Sequence, residues 1–505
     1  MIRSVLVANR GEIALRIIRA ARERGIEAVA VYSEPDRLAP HVLEADAAFP
    51  IGPAPASESY LRGDRLIEVA KLAGADAIHP GYGFLSERAE FARAVEAAGL
   101  HFIGPTPSTI AAMGDKAEAR RRMADAGVPI VPGLVSPVAN AREAEKAAAE
   151  LGLPVLLKAA AGGGGKGMRV VHVPAEVARA FEAATREAEA AFGDGSVYLE
   201  RFVERPRHIE IQVLGDTHGN VVHLGERECS IQRRHQKLIE EAPSPTLDPA
   251  ERAAMGEAAV AAARAVDYRG AGTVEFLYKD GDFFFLEMNT RIQVEHPVTE
   301  LVTGIDLVEW QFRVAGGEPL GFTQDDVRME GHAIECRITA EDPSGGFLPS
   351  TGVVSHLVVP SGPGVRWDGG IRLGQRVTAH YDPLLAKLVT VGHDRAAAIA
   401  RMERALDEIV ITGVDTSVPF HRRVMSEPSF RAGDFSIEYL ADHPELTSSS
   451  LAEDELTAAA LAAALLEDEQ RQRHGAPRIG RGERTRMSTW RAAGAPGGED
   501  AWNPR

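Results

Sequence analysis

Two segments near the N-terminus alternate apolar strands with an amphipathic helix. Residues 2–32 contain "IRSVLVA", "GEIALRIIRAARER" and "EAVAVY" in turn, and residues 75–103 follow the same order. In the first helix, Ile13, Ile17 and Ile18 fall on one face. Strands that alternate with helices form βαβ units on a parallel sheet. The sequence therefore predicts that the chain begins with a parallel α/β domain.

Later segments carry patterns that predict α+β structure. Residues 134–204 combine strands with a helix over 175–191, and strands dominate from about residue 205. A helix is predicted to leave the first domain after Asp115, its N-cap. A chain of 505 residues agrees with several domains, because one domain holds roughly 100–200 residues. After residue 446 a helix-forming stretch precedes an end for which disorder is predicted.

Composition narrows the class of protein and its partners. The net charge of −17 argues against a nucleic-acid partner, because phosphate backbones repel an acidic surface. The N-terminus has no secretory signal core, and no apolar run approaches the ~20 residues of a membrane span. Cys229 and Cys336 are far apart and are predicted to be small core residues in a reducing compartment. We therefore expect a soluble, cytoplasmic protein without a membrane partner.

Four consecutive glycines precede a lysine in "LLKAAAGGGGKGMRVV", residues 156–171. The apolar, strand-like runs on both sides favour a loop in a hairpin over a flexible linker. The P-loop signature fails, because Ala160 stands at its first glycine and Gly167 at its Ser or Thr. The dinucleotide pattern fits Gly162, Gly164 and Gly167, but any glycine run fits it. The glycine run therefore agrees with phosphate binding, but neither motif identifies the ligand.

Lysine is rare in this chain. Only eight of the 56 basic residues are lysines. Where arginine is used so heavily, lysine is expected at positions that need a compact, rotatable ammonium. This reasoning selects Lys116, Lys158, Lys166 and Lys237 as candidates for function.

The segment "VEFLYKDGDFFFLEMNTR" gives the strongest local signal. With a three-residue Asp-Gly-Asp loop, Glu275 lies directly opposite Glu287, and Asn289 shares their face. A two-residue loop would misalign the acids by one position. Like charges directly opposite each other need a compensating cation, and carboxylate and amide oxygens suit Mg²⁺. The sequence therefore predicts a metal site, against the alternative of scattered acids on an exposed hairpin.

The adjoining "TRIQVEHPVTE" places Arg291, Gln293 and Glu295 on one side of an extended run. A guanidinium, an amide and a carboxylate in that arrangement can hold a small oxyanion and remove its proton. Pro297 is expected at the first position of the next helix. The alternative is that Glu295 merely begins that helix.

Basic residues cluster in "ECSIQRRHQKLIEEAP" inside an acidic protein. Beside a metal site and a glycine loop, His235 and Lys237 become candidates for anion binding, although a solvated basic face is the usual interpretation. His208 begins a strand, where a structural role is the alternative. Arg337 lies in an otherwise apolar strand, where a structural ion pair is the alternative.

Six motifs in order give this chain a specific resemblance. They are "VANRGEIALRIIRA", "HPGYGFLSE", "KAAAGGGGKGMR", "RHIEIQVLGD", "CSIQRRHQK" and "FLEMNTRIQVEHPVTE". They closely resemble biotin carboxylase of the ATP-grasp superfamily, and "HYDPLLAKL" and "ITGVDTSVPFHRRVM" extend the likeness to about residue 445. The resemblance implies a multidomain α/β and α+β fold. Its expected parts are a Rossmann-like domain over 1–113, a linker over 114–133, an ATP-grasp lid over 134–204, an ATP-grasp body over 205–330, a β-rich C-terminal subdomain over 331–445 and a tail over 446–505.

The resemblance also implies a role for each candidate residue. Catalysis is assigned to Glu295 as general base, with Lys237 and Arg291, and to Arg337 as the residue that stabilises the biotin enolate. The magnesium or manganese site is implied at Glu275, Glu287 and Asn289, with two ions expected, and the bicarbonate site at Lys237, Arg291, Gln293, Val294 and Glu295. Nucleotide contacts are implied for Lys116, Lys158, Gly163, Gly164, Gly165, Lys166, Gly167, Glu200, Val203, His208, Gln232, His235 and Leu277.

The implied reaction carboxylates biotin with ATP and bicarbonate through carboxyphosphate, as the first half-reaction of an acetyl- or acyl-CoA carboxylase. None of the eight lysines has a methionine neighbour, as the biotin-accepting lysine of such enzymes does. We therefore expect biotin to arrive on a separate biotin carboxyl carrier protein, with carboxyltransferase subunits as further partners and a homodimer as the assembly. The tail weakly resembles the connector of acyl-CoA carboxylase α chains.

Three alternatives remain at this point. Another ATP-grasp ligase would share the metal and nucleotide residues but not "RIQVEHPVTE" with a distal Arg337. A dinucleotide-dependent dehydrogenase is disfavoured, because the glycine run lies in mid-chain between hairpin strands. A non-catalytic nucleotide-binding scaffold is opposed by candidates at every catalytic position.

Overall fold

A computed structural model of the chain describes residues 2–134, 137–159, 168–192 and 194–448, together with 457–458, 460–462 and 464–465. The chain divides into two units, Met1–Ser448 and Ser449–Arg505. In the second unit the described residues are helical. The remainder of the tail, for which disorder is expected, lies outside the described residues.

The N-terminal segment forms the parallel sheet that its strand–helix alternation predicts. Five strands pair in parallel in the order β3-β2-β1-β4-β5. The strands are β1 Ser4–Val7, β2 Glu27–Ser33, β3 Ala47–Gly52, β4 Ala77–His79 and β5 His101–Phe102. The helices are α1 Gly11–Glu23, α2 Pro40–Glu44, α3 Gly63–Ala73, α4 Ala89–Ala97, α5 Pro107–Gly114 and α6 Lys116–Asp125.

Helix α1 joins this sheet to the rest of the protein. Its predicted apolar face is buried, with Ile13, Ile17 and Ile18 at most 2% exposed. These side chains pack in one core with Leu307 and Phe312 from a later helix. The first residues of α1 are thereby held close to the C-terminal half of the chain. Helix α6 begins after Asp115, whose side chain accepts hydrogen bonds from two backbone N–H groups, as predicted for an N-cap.

A small three-stranded sheet and two helices follow. Strand β6 lies between its antiparallel neighbours β7 and β8. The two strands beside the glycine run pair as a hairpin, as predicted, with Lys158 opposite Met168; the run itself, residues 160–167, lies outside the described residues. The elements are α7 Ala141–Leu151, β6 Val155–Ala159, β7 Met168–Val171, α8 Val177–Phe192 and β8 Val197–Arg201.

Eight strands within residues 207–442 form one sheet. The first part of this segment comprises β9 Arg207–Gly215, β10 Val221–Arg233, β11 Gln236–Ala242, α9 Pro249–Arg264, β12 Gly270–Lys279, β13 Asp282–Asn289, α10 His296–Thr303 and α11 Leu307–Ala315. The C-terminal part comprises β14 His332–Thr339, β15 Glu341–Asp342, β16 Leu348–Pro349, β17 Gly352–Val353, β18 His356–Val358, β19 Val365–Gly369, β20 Arg376–Val377, β21 Leu384–Gly392, α12 Arg395–Glu408, β22 Val410–Thr412, α13 Val418–Ser426, α14 Pro428–Ala432 and α15 Tyr439–Asp442.

The sheet runs without a break through the boundary expected near residue 330. Its order is β13-β12-β9-β10-β11-β14-β21-β19. The link is the antiparallel pair of β11 and β14, in which Glu240 lies opposite Glu335. Side chains from both halves of this sheet can therefore meet on one face. Short 3₁₀ turns complete the fold at Glu34–Asp36, Ala56–Glu58, Pro174–Glu176, Gln324–Asp326 and Pro444–Thr447.

Two expectations from composition concern the cysteines and membrane-spanning helices. Cys229 and Cys336 are free and fully buried, as predicted. In the part of the chain that the structure describes, no helix has the length and apolar character to cross a membrane.

His79 ties the end of β4 to helix α11. Its Nδ1 atom accepts a hydrogen bond from the Gly81 N–H at 3.1 Å, and its Nε2 atom bonds the Gln311 side-chain oxygen at 3.2 Å. This arrangement fits the neutral ring with its proton on Nε2. Burial lowers the pKa of His79 to about 3. The "HPGYG" segment thus begins at a histidine that folding keeps neutral.

We predict that His79→Gln makes stability less sensitive to acid. Below pH 6.5 this histidine is protonated in the unfolded chain, whereas in the folded chain it stays neutral down to about pH 3. The free energy of unfolding therefore falls as pH drops through this window, by about 3 kcal/mol between pH 7 and pH 4 for this group. Urea denaturation of wild type and variant at about pH 7 and about pH 4 measures the difference. Equal losses in both proteins would contradict the prediction.

Candidate active site

The predicted metal residues lie on the hairpin of β12 and β13. Glu275 pairs directly with Glu287 across the two strands, as predicted. The turn, however, is the two-residue Asp280–Gly281, and the predicted three-residue loop is wrong. Both turn residues have positive φ, 51° and 90°, as a type I′ turn requires. The acids remain opposite because the register shifts between Glu275 and Phe276, where Leu286 forms a bulge.

Glu275 is buried at the centre of a hydrogen-bond network. Its Oε1 atom accepts from Lys237 Nζ at 3.0 Å, Asn289 Nδ2 at 2.8 Å and Gln293 Nε2 at 2.8 Å. Burial alone would raise the pKa of Glu275, but Lys237 and His208 hold it well below its ordinary value. Glu275 is therefore ionised at neutral pH.

Glu287 faces this charge from the more exposed strand. Partial burial and the Glu275 charge raise the pKa of Glu287 above its ordinary value. Two carboxylates directly opposite each other are unfavourable without a cation between them. Carboxylate oxygens are also the donors that Mg²⁺ prefers. The residues present therefore fit a divalent cation at this hairpin.

Lys237 is the cation around which three acids converge. Its Nζ atom lies 2.6 Å from Glu210, 3.0 Å from Glu275 and 2.6 Å from Glu295. Side-chain atoms of His208, Glu210 and Glu275 lie within 4.8 Å of one another, a spacing that would suit a metal ion. Lys237 already supplies the positive charge there. Burial would lower the pKa of Lys237, but the three carboxylates raise it well above its ordinary value.

Arg227 supports this cluster from beneath. It is fully buried and donates to Glu210 at 2.5 Å, Gln212 at 2.6 Å and Gln293 at 2.9 Å. Further bonds reach Thr273 at 3.1 Å and Thr299 at 2.9 Å. A buried arginine with this number of partners fixes the positions of all of them. The Gln293 amide is therefore held between Arg227 and Glu275 of the β12–β13 hairpin.

Glu295 lies between two cations. Its Oε1 atom accepts from Lys237 at 2.6 Å, and its Oε2 atom accepts from Arg337 Nη2 at 2.9 Å. Burial would raise the pKa of Glu295, but Lys237 and Arg337 hold it well below its ordinary value. In this state Glu295 is charged and a poor proton acceptor.

The backbone around Glu295 departs from the extended run that the sequence predicts. Residues 294–295 form a turn, and Glu295 stands at the N-cap of α10 with φ −78° and ψ 9°. Helix α10 begins at His296, so Pro297 is its second residue and not its first. The prediction failed because the period of two applies only to extended backbone. Gln293 and Glu295 still reach the same cluster, through Arg227 and Lys237.

Two arginines approach the cluster from other segments. Arg337 is shared between Glu295 and Glu240, whose Oε1 atom accepts from its Nε at 2.6 Å. Arg291 donates to Glu87 at 2.8 Å and to the side-chain oxygen of Asn289 at 3.0 Å. The ion pairs expected as a structural alternative for Arg337 are thus present, and one partner is the proposed base.

The nucleotide candidates fall into two groups. His208, Gln232 and Leu277 join the cluster through strand pairing, since His208 lies opposite Leu277 and Gln232 opposite Lys237. The His208 Nε2 atom also lies 3.0 Å from Glu275. His235 is exposed in the β10–β11 turn, with φ 66°.

The second group lies on the small sheet. Lys158 forms an ion pair with Glu200, while Val203 follows β8 and Lys116 is the first residue of α6. In the described part of the chain, no hydrogen bond or ion pair joins Lys158 or Glu200 to the Lys237 cluster. The other candidates, Gly163, Gly164, Gly165, Lys166 and Gly167, lie outside the described residues.

Sequence reasoning missed Glu210, Arg227 and Glu240. A signal for the first existed, because Glu210 and Gln212 alternate with apolar residues in "HIEIQVLGD". Such alternation usually marks a solvent face. Here both faces of β9 are buried, so the polar face is an interior one.

Three family models match this chain in order. Residues 1–110 match "Biotin carboxylase, N-terminal domain", residues 115–323 match "Carbamoyl-phosphate synthase L chain, ATP binding domain", and residues 335–442 match "Biotin carboxylase C-terminal domain". The chain is 52% identical to a biotin carboxylase of Haemophilus influenzae, over 87% of this chain and 98% of that protein. It is 53% identical to a pyruvate carboxylase subunit of Methanothermobacter thermautotrophicus, over 88% of this chain and 90% of that protein.

Solved structures agree with these matches. A Campylobacter jejuni biotin carboxylase, solved with a β,γ-ATP ligand, has a TM-score of 0.82 and 49% identity, and covers 88% of this chain and 99% of its own. The biotin carboxylase domain dimer of Hydrogenobacter thermophilus 2-oxoglutarate carboxylase, with MgADP, ADP and bicarbonate, has a TM-score of 0.82 and 49% identity over 89% of this chain and 100% of its own.

The fold and the charged site define an ATP-grasp ligase. The chain belongs to the biotin carboxylase family, and its activity is the ATP-dependent carboxylation of biotin. A dehydrogenase and a non-catalytic scaffold are thereby excluded.

We predict that Arg227→Met destabilises the protein strongly. Removing one member of a buried ion pair leaves Glu210 without part of its compensation, at a cost of about 3–5 kcal/mol. Arg121→Met is the matched control, because Arg121 pairs with Glu118 on the surface and such pairs contribute about 0–1 kcal/mol. Urea denaturation of both variants checks the difference. Equal losses would show that the buried network contributes no more than a surface pair.

Proposed function

We propose that Glu295, held between Lys237 and Arg337, is the general base that activates bicarbonate for attack on ATP. The supporting observation is the placement of this one carboxylate 2.6 Å from an ammonium and 2.9 Å from a guanidinium, beside the Glu275–Glu287 hairpin. A reacting anion needs cations to bind it and a base to deprotonate it, and this arrangement supports both roles.

The nucleotide and its cation are assigned to the neighbouring surface. Glu275, Glu287 and Asn289 would hold Mg²⁺ or Mn²⁺, with two ions expected. The ion would neutralise charge on the phosphates of ATP. Lys116, Lys158 and the glycine loop would contact the phosphates, and Glu200, Val203, His208, Gln232, His235 and Leu277 would complete the nucleotide site. The domain boundaries expected from the sequence, with a lid over 134–204, are part of this proposal.

Bicarbonate would bind among Lys237, Arg291, Gln293 and the Val294 segment. Its negative charge competes with Glu295 for the Lys237 ammonium and draws that cation away from the base. The pKa of Glu295, which Lys237 and Arg337 hold down, then rises towards a value that can accept a proton. Substrate binding thereby activates the base, and the free enzyme keeps it inactive.

The chemical steps follow from these positions. Glu295 takes the bicarbonate proton, and the resulting oxygen attacks the γ-phosphorus of ATP while the bond to the bridging oxygen breaks, giving carboxyphosphate and ADP. Carboxyphosphate then divides into CO₂ and phosphate, and phosphate removes the ureido N–H proton of biotin. The nitrogen of the enolate forms the new bond to the carbon of CO₂. Arg337, released once Glu295 is neutral, would hold the enolate oxygen.

We predict that Glu295→Gln lowers the rate of bicarbonate-dependent ADP release by about 10²–10⁴-fold, the usual contribution of a positioned base. The measurement is ADP release by the purified chain with Mg²⁺, with and without bicarbonate and free biotin. Glu90→Gln, which makes the same change at an exposed helix position, should retain wild-type turnover. Undiminished turnover in the Glu295→Gln variant would remove Glu295 from the role of base.

We infer that biotin is presented by a carrier protein on another chain, with carboxyltransferase subunits, a homodimeric assembly and a cytoplasmic location. Several proteins named biotin carboxylase are 98–100% covered by this chain, which supports a separate carrier. The weak likeness of residues 446–505 to an acyl-CoA carboxylase connector supports acetyl- or acyl-CoA as the final acceptor. A relative named as the alpha chain of a methylcrotonoyl-CoA carboxylase, 51% identical, agrees with this class.

We predict a preference for the carrier of an acyl-CoA carboxylase. Biotinylated carrier domains from an acyl-CoA carboxylase and from a pyruvate carboxylase would be supplied separately with ATP and labelled bicarbonate. The acyl-CoA carboxylase domain should show the higher kcat/KM for transfer of label, because carrier docking adds binding energy in the transition state. A preference for the pyruvate carboxylase domain would overturn the acyl-CoA assignment and leave biotin carboxylation intact.

A further inference from the structure

Lys387 is a buried lysine that the reaction described above does not use. It lies on β21 directly opposite Arg337 of β14, and its side chain is 0% exposed. It belongs to the "HYDPLLAKL" motif. A fully buried lysine is rare unless its charge is paired and its hydrogen bonds are made. Its partners therefore indicate what it does.

The ammonium of Lys387 joins two distant segments. Its Nζ atom donates to the backbone carbonyl of Val294 at 2.9 Å and lies 3.1 Å from the Glu12 carboxylate at the start of α1. The other oxygen of Glu12 accepts a hydrogen bond from the Tyr82 hydroxyl, in the "HPGYGF" segment. The first turn of α1 is thus linked through one ammonium to the residue beside the proposed base.

The position of Val294 gives this link its consequence. Val294 and Glu295 form the turn before α10, so the Val294 carbonyl and the Glu295 carboxylate move together. On the other side, Glu295 must remain within reach of both Lys237 and Arg337. A displacement of about 1 Å at a reacting group costs up to ~10²-fold in rate. The turn therefore needs an anchor, and Lys387 supplies a charged donor to it.

We propose that Lys387 is a positioning residue for the bicarbonate segment, and that Glu12 and Tyr82 hold it in place. The proposal rests on the proposed function, because it takes Glu295 as the base. The rival is a purely structural role, in which Lys387 merely neutralises the buried Glu12. The two roles differ in what happens when both charges are removed together.

The test compares Lys387→Met, Glu12→Gln and the double variant. Lys387→Met leaves Glu12 buried without its cation, so its melting temperature should fall. The double variant removes both members of this ion pair and should recover much of that loss. Its Val294 carbonyl still lacks the ammonium donor. We therefore expect kcat/KM for bicarbonate to remain on the order of 10- to 100-fold below wild type in the double variant, while KM for ATP stays within about twofold.

A double variant that recovers both its melting temperature and its bicarbonate kcat/KM would overturn the proposal in favour of the structural role. Wild-type bicarbonate kinetics in Lys387→Met would overturn it directly. Lys279→Met, at a half-exposed lysine in the hairpin, is the matched control and should match wild type.

Two further variants distinguish the remaining outcomes. Should Lys387→Met not fold, Lys387→Arg keeps the charge beside Glu12 but changes the donor geometry. It should melt near wild type with a lowered kcat/KM for bicarbonate, and wild-type bicarbonate kinetics would overturn the proposal. Failure of the proposed function is recognised separately, by full turnover of Glu295→Gln in the wild-type background.

Discussion

The need to compensate buried carboxylates dominates this structure. Glu210, Glu275 and Glu295 converge on Lys237 inside a sheet whose neighbouring side chains exclude water, and Arg227 closes the network from below. An uncompensated charge in such surroundings costs several kcal/mol. Strands β9 to β12 and the turn before α10 therefore cannot shift independently, because each carries one member of the network. The site is rigid because its charges require one another.

The same compensation sets the resting state of the enzyme. Glu295 shares both of its oxygens with cations, so the carboxylate that we propose as the base begins as a poor proton acceptor. Arg337 is divided between Glu295 and Glu240, and in the proposed function its release depends on the loss of charge at Glu295. Binding, proton transfer and stabilisation of the next intermediate would then be linked by the redistribution of Lys237 and Arg337.

Local sequence patterns predicted much of this arrangement. The remaining features depend on pairing between strands that are distant in the chain. The parallel sheet, the hairpins and the Glu275–Glu287 pair followed from periodicity. The Glu275–Glu287 pair was predicted with the wrong loop length, because the sequence does not reveal the bulge at Leu286. The pairing of Glu240 with Glu335 joins strands that are far apart in the chain, and no local pattern contains that information. Arg227 was missed because alternation does not say which face of a strand is buried.

The balance of acids and cations limits how much further negative charge this site can accept. Burial and the nearby Glu295 raise the pKa of Glu240 to about 7, and burial raises the pKa of Glu335 well above its ordinary value. The pKa of Glu287 is raised as well, by desolvation and by the Glu275 charge, so further negative charge beside these carboxylates is unfavourable. In the proposed function a nucleotide adds further negative charge, which a metal ion and lysines from outside the network would neutralise. At the metal site that we propose on the β12–β13 hairpin, the acids would favour the metal–nucleotide complex over the free nucleotide, through the same electrostatic constraint that holds the fold together.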